Sequence, residues 1–560
     1  MHYPHLFLLS LLCFSLTLSD PTTTTASIYY SKTTGKYKIT QGVLDPQAVA
    51  TIRYTDSYER DGWDYLALSS YEGEDSKYAD HIKAYGMGYL EGVITSKRIY
   101  PFYLNMKASE YYKNPNTDMP ELTRQFLIEN LSYMKTMSLK YKDTDPYWDQ
   151  VYNFYRQMMG LIDGYNSVAP IHEQINAIDF QILISISDLG EIEYWKNPSA
   201  RPNYAAMTRE EIIDFVEMHT HCSALIKVAP DFSDVWFGHN TWTSYNQMIR
   251  IFKEYKFITN TNVEASQVVY FSGFPGILNS NDDFYITNND LYISETTHSV
   301  FNTTLYDYLT PHSLLSWIRT ILANRLGHNG KEWGEVFVRE NSGTYNNQFM
   351  ILDLSKINTT AKTIEDEALY IVEQLPGFHY EGDATHVLRK GYYPSYNVPF
   401  LERTRRTAGY YEKLESDPSM RETYDYYSCA RANIFRRDNG KVSDMESFKK
   451  MLRYNDYVND VLSNGNPSSA IASRRDLLIK EGSVRACFGA IDVKAASINE
   501  IKGKQNKKIH IIAGPTNENV ETFSWSTSTC MSEDSVRWSH YGHVDKYDFG
   551  WVEYNTELFS

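Results

Sequence analysis

Cys222 stands in HTHCSALIKV, residues 219–228, at the head of an apolar run formed by Ala224, Leu225, Ile226 and Val228. A short continuous run of this kind reads as a buried strand. Soon afterwards comes HNTWTSYNQMIRIF, where His239, Asn240 and Trp242 follow the apolar pair Trp236 and Phe237. This second run is expected to return beside the first as a neighbouring strand. A cysteine that opens a core strand becomes an N-terminal nucleophile if the bond before it, His221–Cys222, is cut. Its thiol then attacks acyl groups, and the freed α-amine takes the thiol proton. The competing reading is a small, buried, inert thiol.

Other residue patterns carry less chemistry. The cysteines are too widely spaced for a CxxC site and no HExxH occurs, so neither a metal nor another cofactor is expected. Gly86, Gly88 and Gly92 lie on a segment of helical periodicity, which predicts close packing against another element rather than a phosphate loop. Asp282 and Asp283 resemble a carboxylate pair, but adjacent strand residues point to opposite faces. They are read as a turn or a structural charge. Glu295-Thr296-Thr297 is expected to approach the site without an assigned role, and Arg436-Arg437 is read as a salt-bridged structural pair. Of the five cysteines, Cys13 belongs to the leader; among Cys429, Cys487 and Cys530 at most one disulfide forms, either Cys429–Cys530 or Cys487–Cys530.

The surroundings limit the function classes. With 560 residues, 42% of them hydrophobic and 14% aromatic, the chain has ample material for a large core. A formal charge of -16 excludes a nucleic-acid partner, since phosphate binding needs clustered Lys and Arg. Leu6 to Leu18 is an apolar run of about thirteen residues, suited to a signal-peptide core and too short to span a bilayer. Residues 1–19 are therefore expected to be a signal peptide. No later stretch is long and apolar enough for a transmembrane segment, so a soluble secreted or lysosomal protein is expected. Sequons at Asn130, Asn302 and Asn358 agree with that route.

Three parts are expected to position the chemistry. Residues 20 to about 61 read as short strands, followed by helices over 77–100, 120–141 and 147–167 and a buried apolar segment over 175–186. Residues 197–208, with Pro198 and Pro202, read as an exposed linker; Thr208 then caps a short helix ending near Met218. Short strands follow over 268–271, 284–287, 291–296, 349–354 and 368–372, with helices over 312–326 and 448–462. The division is thus a largely helical N-terminal chain, 20–221, ending in a processed linker over about 197–221, and a catalytic chain, 222–560. Helices before strands, then strands mixed with helices, imply an α+β fold with helices outside a two-sheet core.

HCSALIKV and HNTW belong to a longer series: SGFPGILNSNDDFYITNNDLYISETT, SGTYNNQFMILDL, VEQLPG, YYPSYNVPF, ANIFRRD, MLRYNDY, ASRRDL, AIDVKAAS and AGPTNENVETFSWSTS. In these segments and their order the chain resembles the phospholipase B-like proteins, N-terminal-nucleophile hydrolases of lysosomes and secretions. The resemblance implies a four-layer αββα sandwich and self-cleavage at His221–Cys222 into two chains that stay associated. It further implies Cys222 as nucleophile, His239 and Trp242 as pocket residues and Asn397 as the oxyanion donor. The substrate implied is a phospholipid or another acyl lipid; alternatives are an amidase acting on N-acyl amides and a catalytically silent lipid-binding glycoprotein. Where animal members often carry cysteines able to pair with the one matching Cys487, this chain has Ile471, Ala472 and Ser473.

Overall fold

Apolar residues two apart divide the long strands between two cores. In strand Ser223–Val228, Ala224, Ile226 and Val228 face one core and Leu225 the other. Strands Trp63–Ser70, Asn347–Asp353 and Leu369–Leu375 divide in the same way: Tyr65, Met350 and Ile371 face one side, Leu66, Ile351 and Val372 the other. The smaller core draws on both sheets, so the two sheets lie face to face across it. The larger core joins their outer faces to helices. The computed structural model describes residues 21–73, 77–111, 118–220, 222–261, 263–479, 484–531 and 537–556. The expected leader and His221 lie outside the described residues.

Among the described residues the two facing sheets have eleven and six strands, and Ile357–Asn358 pairs with Thr363–Ile364 in a third, two-stranded sheet. In the six-stranded sheet, Ser223–Val228 pairs antiparallel with Val235–Ser244 on one side and with Tyr392–Ser395 on the other, and Phe488–Ser497 lies beyond Val235–Ser244. The expected neighbour of the Cys222 strand is therefore present, with His239 opposite Ala224. The short strands expected over 20 to about 61 are present in the N-terminal part. Strands Thr22–Ser31, Lys36–Gln41, Ala50–Asp56 and Trp63–Ser70 complete the eleven-stranded sheet, the last pairing parallel with Arg250–Lys256. Residues before and after Cys222 thus share one continuous sheet.

The helices correct several boundaries. The segment 77–100 contains two helices, Asp80–Ile94 and Ser96–Tyr111, separated at Thr95. Asp80–Ile94 packs closely on Pro146–Val168: a Cβ on Gly88 would lie 1.9 Å from the Gln157 carbonyl oxygen, and one on Gly160 2.1 Å from that of Tyr85. Glycine at these positions lets the two backbones touch, which is the predicted role of Gly88 and Gly92. The helix expected over 448–462 runs instead from Met445 to Leu452. Beyond it the chain turns, with Asn455 donating to the carbonyls of Pro467 and Ala472; such side-chain bonds to backbone compete with a helix. The 175–186 segment holds only a short helix, Gln181–Ile184.

The helix cap expected at Thr208 is present. Thr208 and Glu211 form a capping box on helix Arg209–His219, with the Glu211 carboxylate accepting the Thr208 N–H at 2.7 Å. Arg475, buried in the C-terminal region, forms ion pairs with Asp214 and Glu217 of this helix. Among the described residues no helix is long and apolar enough to cross a membrane.

Candidate active site

The inter-sheet face turns polar at the end where Cys222 lies. Residues of the same parity as the apolar core members now present a thiol, an imidazole, a hydroxyl, a carboxylate and an amine: Cys222, His239, Thr241, Asp492 and Lys494. An extra residue between Ala490 and Asp492 bulges the Lys494 strand against Val235–Ser244. Cys222 itself is 1% exposed and has a φ of +86°. A left-handed backbone on a residue with a Cβ costs on the order of 1–3 kcal/mol. That strain sits at the residue whose N-terminal bond is the expected cleavage point.

The Cys222 thiol donates to Glu295 Oε1 at 3.6 Å. Burial first, then the Glu295 carboxyl, push the thiol well above its ordinary pKa, while the Trp242 backbone N–H acts in the opposite direction. The Tyr345 hydroxyl lies 3.0 Å from the same carboxyl oxygen and 2.8 Å from the Asn281 carbonyl oxygen, with one hydrogen to place between them. Glu295 is raised well above the usual carboxylate range by burial, then by Asp283.

His239 has both ring nitrogens engaged. Nε2 faces the Glu295 backbone carbonyl at 3.0 Å, and a carbonyl only accepts, so this nitrogen carries the hydrogen. Nδ1 faces the Lys494 ammonium at 3.1 Å. Burial and then the Lys494 charge hold His239 well below the usual imidazole pKa. It is a neutral, fixed imidazole. Cys222, His239 and Glu295 place possible ligand atoms within 4.8 Å of one another. With no lone pair left on the imidazole, this set does not fit a cation.

Asp282 anchors the charges behind the site. It accepts from Lys494 at 2.6 Å, Arg250 at 2.9 Å, Thr241 at 2.6 Å and Ser280 at 2.9 Å. Lys494 also donates to Asp492 at 2.8 Å and to Thr241. Despite burial, the Arg250 and Lys494 charges hold Asp282 well below the ordinary range. Asp283, with a φ of +45°, turns away from these cations, and burial pushes it up to about 8. The reading as a turn with a structural charge describes Asp282; Asp283 is a buried acid.

The other expected residues take definite places. Trp242 is buried, and its indole N–H donates to the Ile471 carbonyl at 3.2 Å. The Arg431 guanidinium lies 4.2 Å from its ring and donates to the Cys222 carbonyl oxygen at 2.9 Å. Asn397 follows strand Tyr392–Ser395, whose register with Ser223–Val228 runs toward Cys222 and places Ser395 opposite Ala224. Its φ is +67°, and its amide donates to the Thr297 carbonyl at 2.6 Å. A cavity of about 530 Å³ is lined by Cys222, Thr241, Trp242, Asp282 and Tyr345, together with Phe215, Val216 and Met218 from the helix leading to Cys222. His239, Glu295 and Asn397 are not among its lining residues.

Of the three sequons, Asn358 is exposed, whereas the Asn130 amide is buried and donates to the carbonyls of Pro311 and Ser313, both at 2.9 Å. A glycan on Asn130 has no room in this packing. Cys487 and Cys530 form the disulfide, leaving Cys222 and Cys429 as buried thiols. Arg437 pairs with Asp438 and Asp460, as expected of a structural arginine, while Arg436 bonds to the Tyr427 carbonyl and Asn433.

The family follows from comparison with known proteins. The Phospholipase B family model matches residues 50–554. Phospholipase B-like protein B of Dictyostelium discoideum is 36% identical over 537 residues, covering 94% of this chain and 89% of its own length. Bovine phospholipase B-like 1 is 34% identical, covering 97% and 95%. Phospholipase-B 81 of Drysdalia coronoides is 33% identical, covering 94% and 92%. The chain belongs to the phospholipase B family.

Proposed function

We propose that this protein is a hydrolase that removes fatty acyl chains from glycerophospholipids, made active when the chain cuts itself between His221 and Cys222. The observation that carries the reading is the placement of Cys222. It opens a core strand, lines a partly apolar cavity, holds a left-handed backbone and has its carbonyl fixed by Arg431. After the cut, its α-amine takes the proton of the adjacent thiol, and the thiolate attacks the acyl carbonyl. Asn397 is the oxyanion donor, a group typically worth roughly 3–4 kcal/mol in acyl transfer. The two facing sheets and outer helices support the four-layer αββα form of an N-terminal-nucleophile hydrolase. The relatives' names supply the phospholipid, and the apolar part of the cavity wall, which includes Ile186, Leu189, Val216 and Met218, suits an acyl chain.

The parallel pairing of Trp63–Ser70 with Arg250–Lys256 supports continued association of the two chains after cleavage. Secretion or lysosomal delivery follows from the leader, with Asn302 and Asn358 as the sites for glycans. The test is N-terminal sequencing of the purified protein, with wild type and Cys222→Ala assayed on phospholipid esters and N-acyl amides. A chain beginning at Cys222 and ester turnover that the variant lacks support the reading. Turnover of amides alone makes it an amidase. No turnover above the variant makes it a lipid-binding glycoprotein.

A further inference from the structure

The N-terminal amine is a base only after the chain is cut; in the precursor the same nitrogen belongs to a peptide bond. Self-cleavage therefore needs another acceptor for the thiol proton. His239 does not serve, because Nε2 already carries hydrogen toward the Glu295 carbonyl and Nδ1 faces the Lys494 ammonium. Asp282 is enclosed by Lys494, Arg250, Thr241 and Ser280. The acceptor that the thiol reaches is Glu295 Oε1, at 3.6 Å.

We propose that Glu295 is the catalytic base of self-cleavage, taking the Cys222 thiol proton in the precursor and returning it to the departing nitrogen. The inference rests on the cleavage reading above. Ionised Glu295 accepts the proton, and the sulfur attacks the carbonyl carbon before Cys222. The carbon–nitrogen bond breaks as the proton passes to the nitrogen of Cys222, leaving a thioester and a free amine. Water then hydrolyses the thioester to a carboxylate and the original thiol.

Glu295 is suited to the task by what surrounds it. The Tyr345 hydroxyl lies 3.0 Å from Oε1 and the Thr297 hydroxyl 3.4 Å from Oε2. The acidic groups Asp283 and Asp282 face it, along with the Cys222 thiol and the Tyr345 hydroxyl, and burial among them makes its carboxylate more basic than an exposed one. Once the amine is free, it lies one residue's reach from the sulfur and replaces Glu295 in turnover. Glu295 is thus the base for maturation and not for the mature reaction.

The experiment uses full-length precursor from cell-free synthesis, moved into buffers from about pH 4.5 to about pH 8.5 (a span set by ordinary His and carboxyl pKa values), with cleavage followed by gel and intact mass. Wild type is expected to cleave faster as pH rises, with the rate levelling once Glu295 has ionised. Folded Glu295→Gln, checked by circular dichroism, is expected to cleave about 10²–10⁴-fold more slowly, the usual range for loss of a general base. Glu295→Asp should restore part of the rate with a displaced pH profile. Cleavage of folded Glu295→Gln at the wild-type rate overturns the inference and leaves the function standing. If Glu295→Gln does not fold, an Asp variant with an unshifted profile overturns it equally. A wild-type chain that never cleaves overturns the proposed function itself.

Discussion

The Lys494 ammonium lies 3.1 Å from His239 Nδ1 and thereby decides which imidazole nitrogen holds the hydrogen. With Nε2–H committed to the Glu295 carbonyl, His239 is a spacer that fixes the Glu295 strand against its own. Its folded pKa is depressed, so its contribution to stability is complete above the unfolded value near 6.5 and is lost as pH falls below it. The unfolded chain binds the extra proton there, giving a slope of up to about 1.4 kcal/mol per pH unit. His239→Gln should flatten that slope and keep the fold. His239→Ala should cost about 1–3 kcal/mol by leaving a buried carbonyl without its donor. Urea denaturation of both variants between about pH 5 and 7.5, spanning the imidazole range, measures both effects.

Asp282 holds two buried cations, and removing its charge alone should be severe. Asp282→Asn leaves Lys494 and Arg250 facing only Asp492 among the carboxylates that pair with them. The expected loss is about 3–5 kcal/mol. Adding Lys494→Met should recover part of it, because one uncompensated charge is removed. Because Asp282 is depressed in the fold, its contribution is present above the ordinary Asp value near 3.9 and lost as pH falls below it. Denaturant midpoints of the single and double variants provide the check. A double variant less stable than Asp282→Asn would count against this account.

The resemblance implies Trp242 as a pocket residue. It lines the cavity, but the N–H bonds to Ile471 and the ring lies against Arg431. Trp242→Phe keeps an aromatic face for the guanidinium and loses the indole donor. Stability should fall by about 1–2 kcal/mol while acyl transfer persists. Trp242→Ala removes the face as well, releasing Arg431 from the Cys222 carbonyl, and should abolish turnover. Parallel measurement of melting temperature and ester hydrolysis separates these outcomes.

Strand order around Cys222 was legible because its cues are local: an apolar run, a turn, and a second run carrying HNTW. The Thr208–Glu211 cap and the close-packed glycines were legible for the same reason. The charge network was not, since Lys494 lies 255 residues from His239 and 212 from Asp282. One signal was present nonetheless. Asp492 and Lys494 are opposite charges two residues apart in an otherwise apolar strand, so they share one face. Arg250 is embedded among apolar neighbours in the same way. Glu295-Thr296-Thr297 was legible as a segment near the site, but only the fold places the Glu295 carboxyl against the thiol.

The buried carboxyls make the protein an acid-favouring fold. Burial pushes Asp283 up to about 8 and Glu191, Glu254 and Glu373 each up to about 7. A carboxyl raised in the folded state keeps a proton that the unfolded chain has released, so stability falls with rising pH between the two values. Buried histidines act oppositely: His298, lowered to about 4, and His543, lowered to about 3, reduce stability as pH falls below their unfolded value near 6.5. Below about 6.5 the two groups oppose each other, and above it only the carboxyls remain. Stability should therefore fall as pH rises from about 6.5 and level off only once Asp283 and Glu295, which is also raised, have ionised, each carboxyl contributing a slope of up to about 1.4 kcal/mol per pH unit. Asp283→Asn should raise the melting temperature at neutral pH and remove part of the decline. Thermal denaturation of wild type and variant from about pH 5 to about pH 8.5, bracketing these values, provides the test. A melting temperature that climbs steadily toward the alkaline end would show that these carboxyls are ionised in the fold.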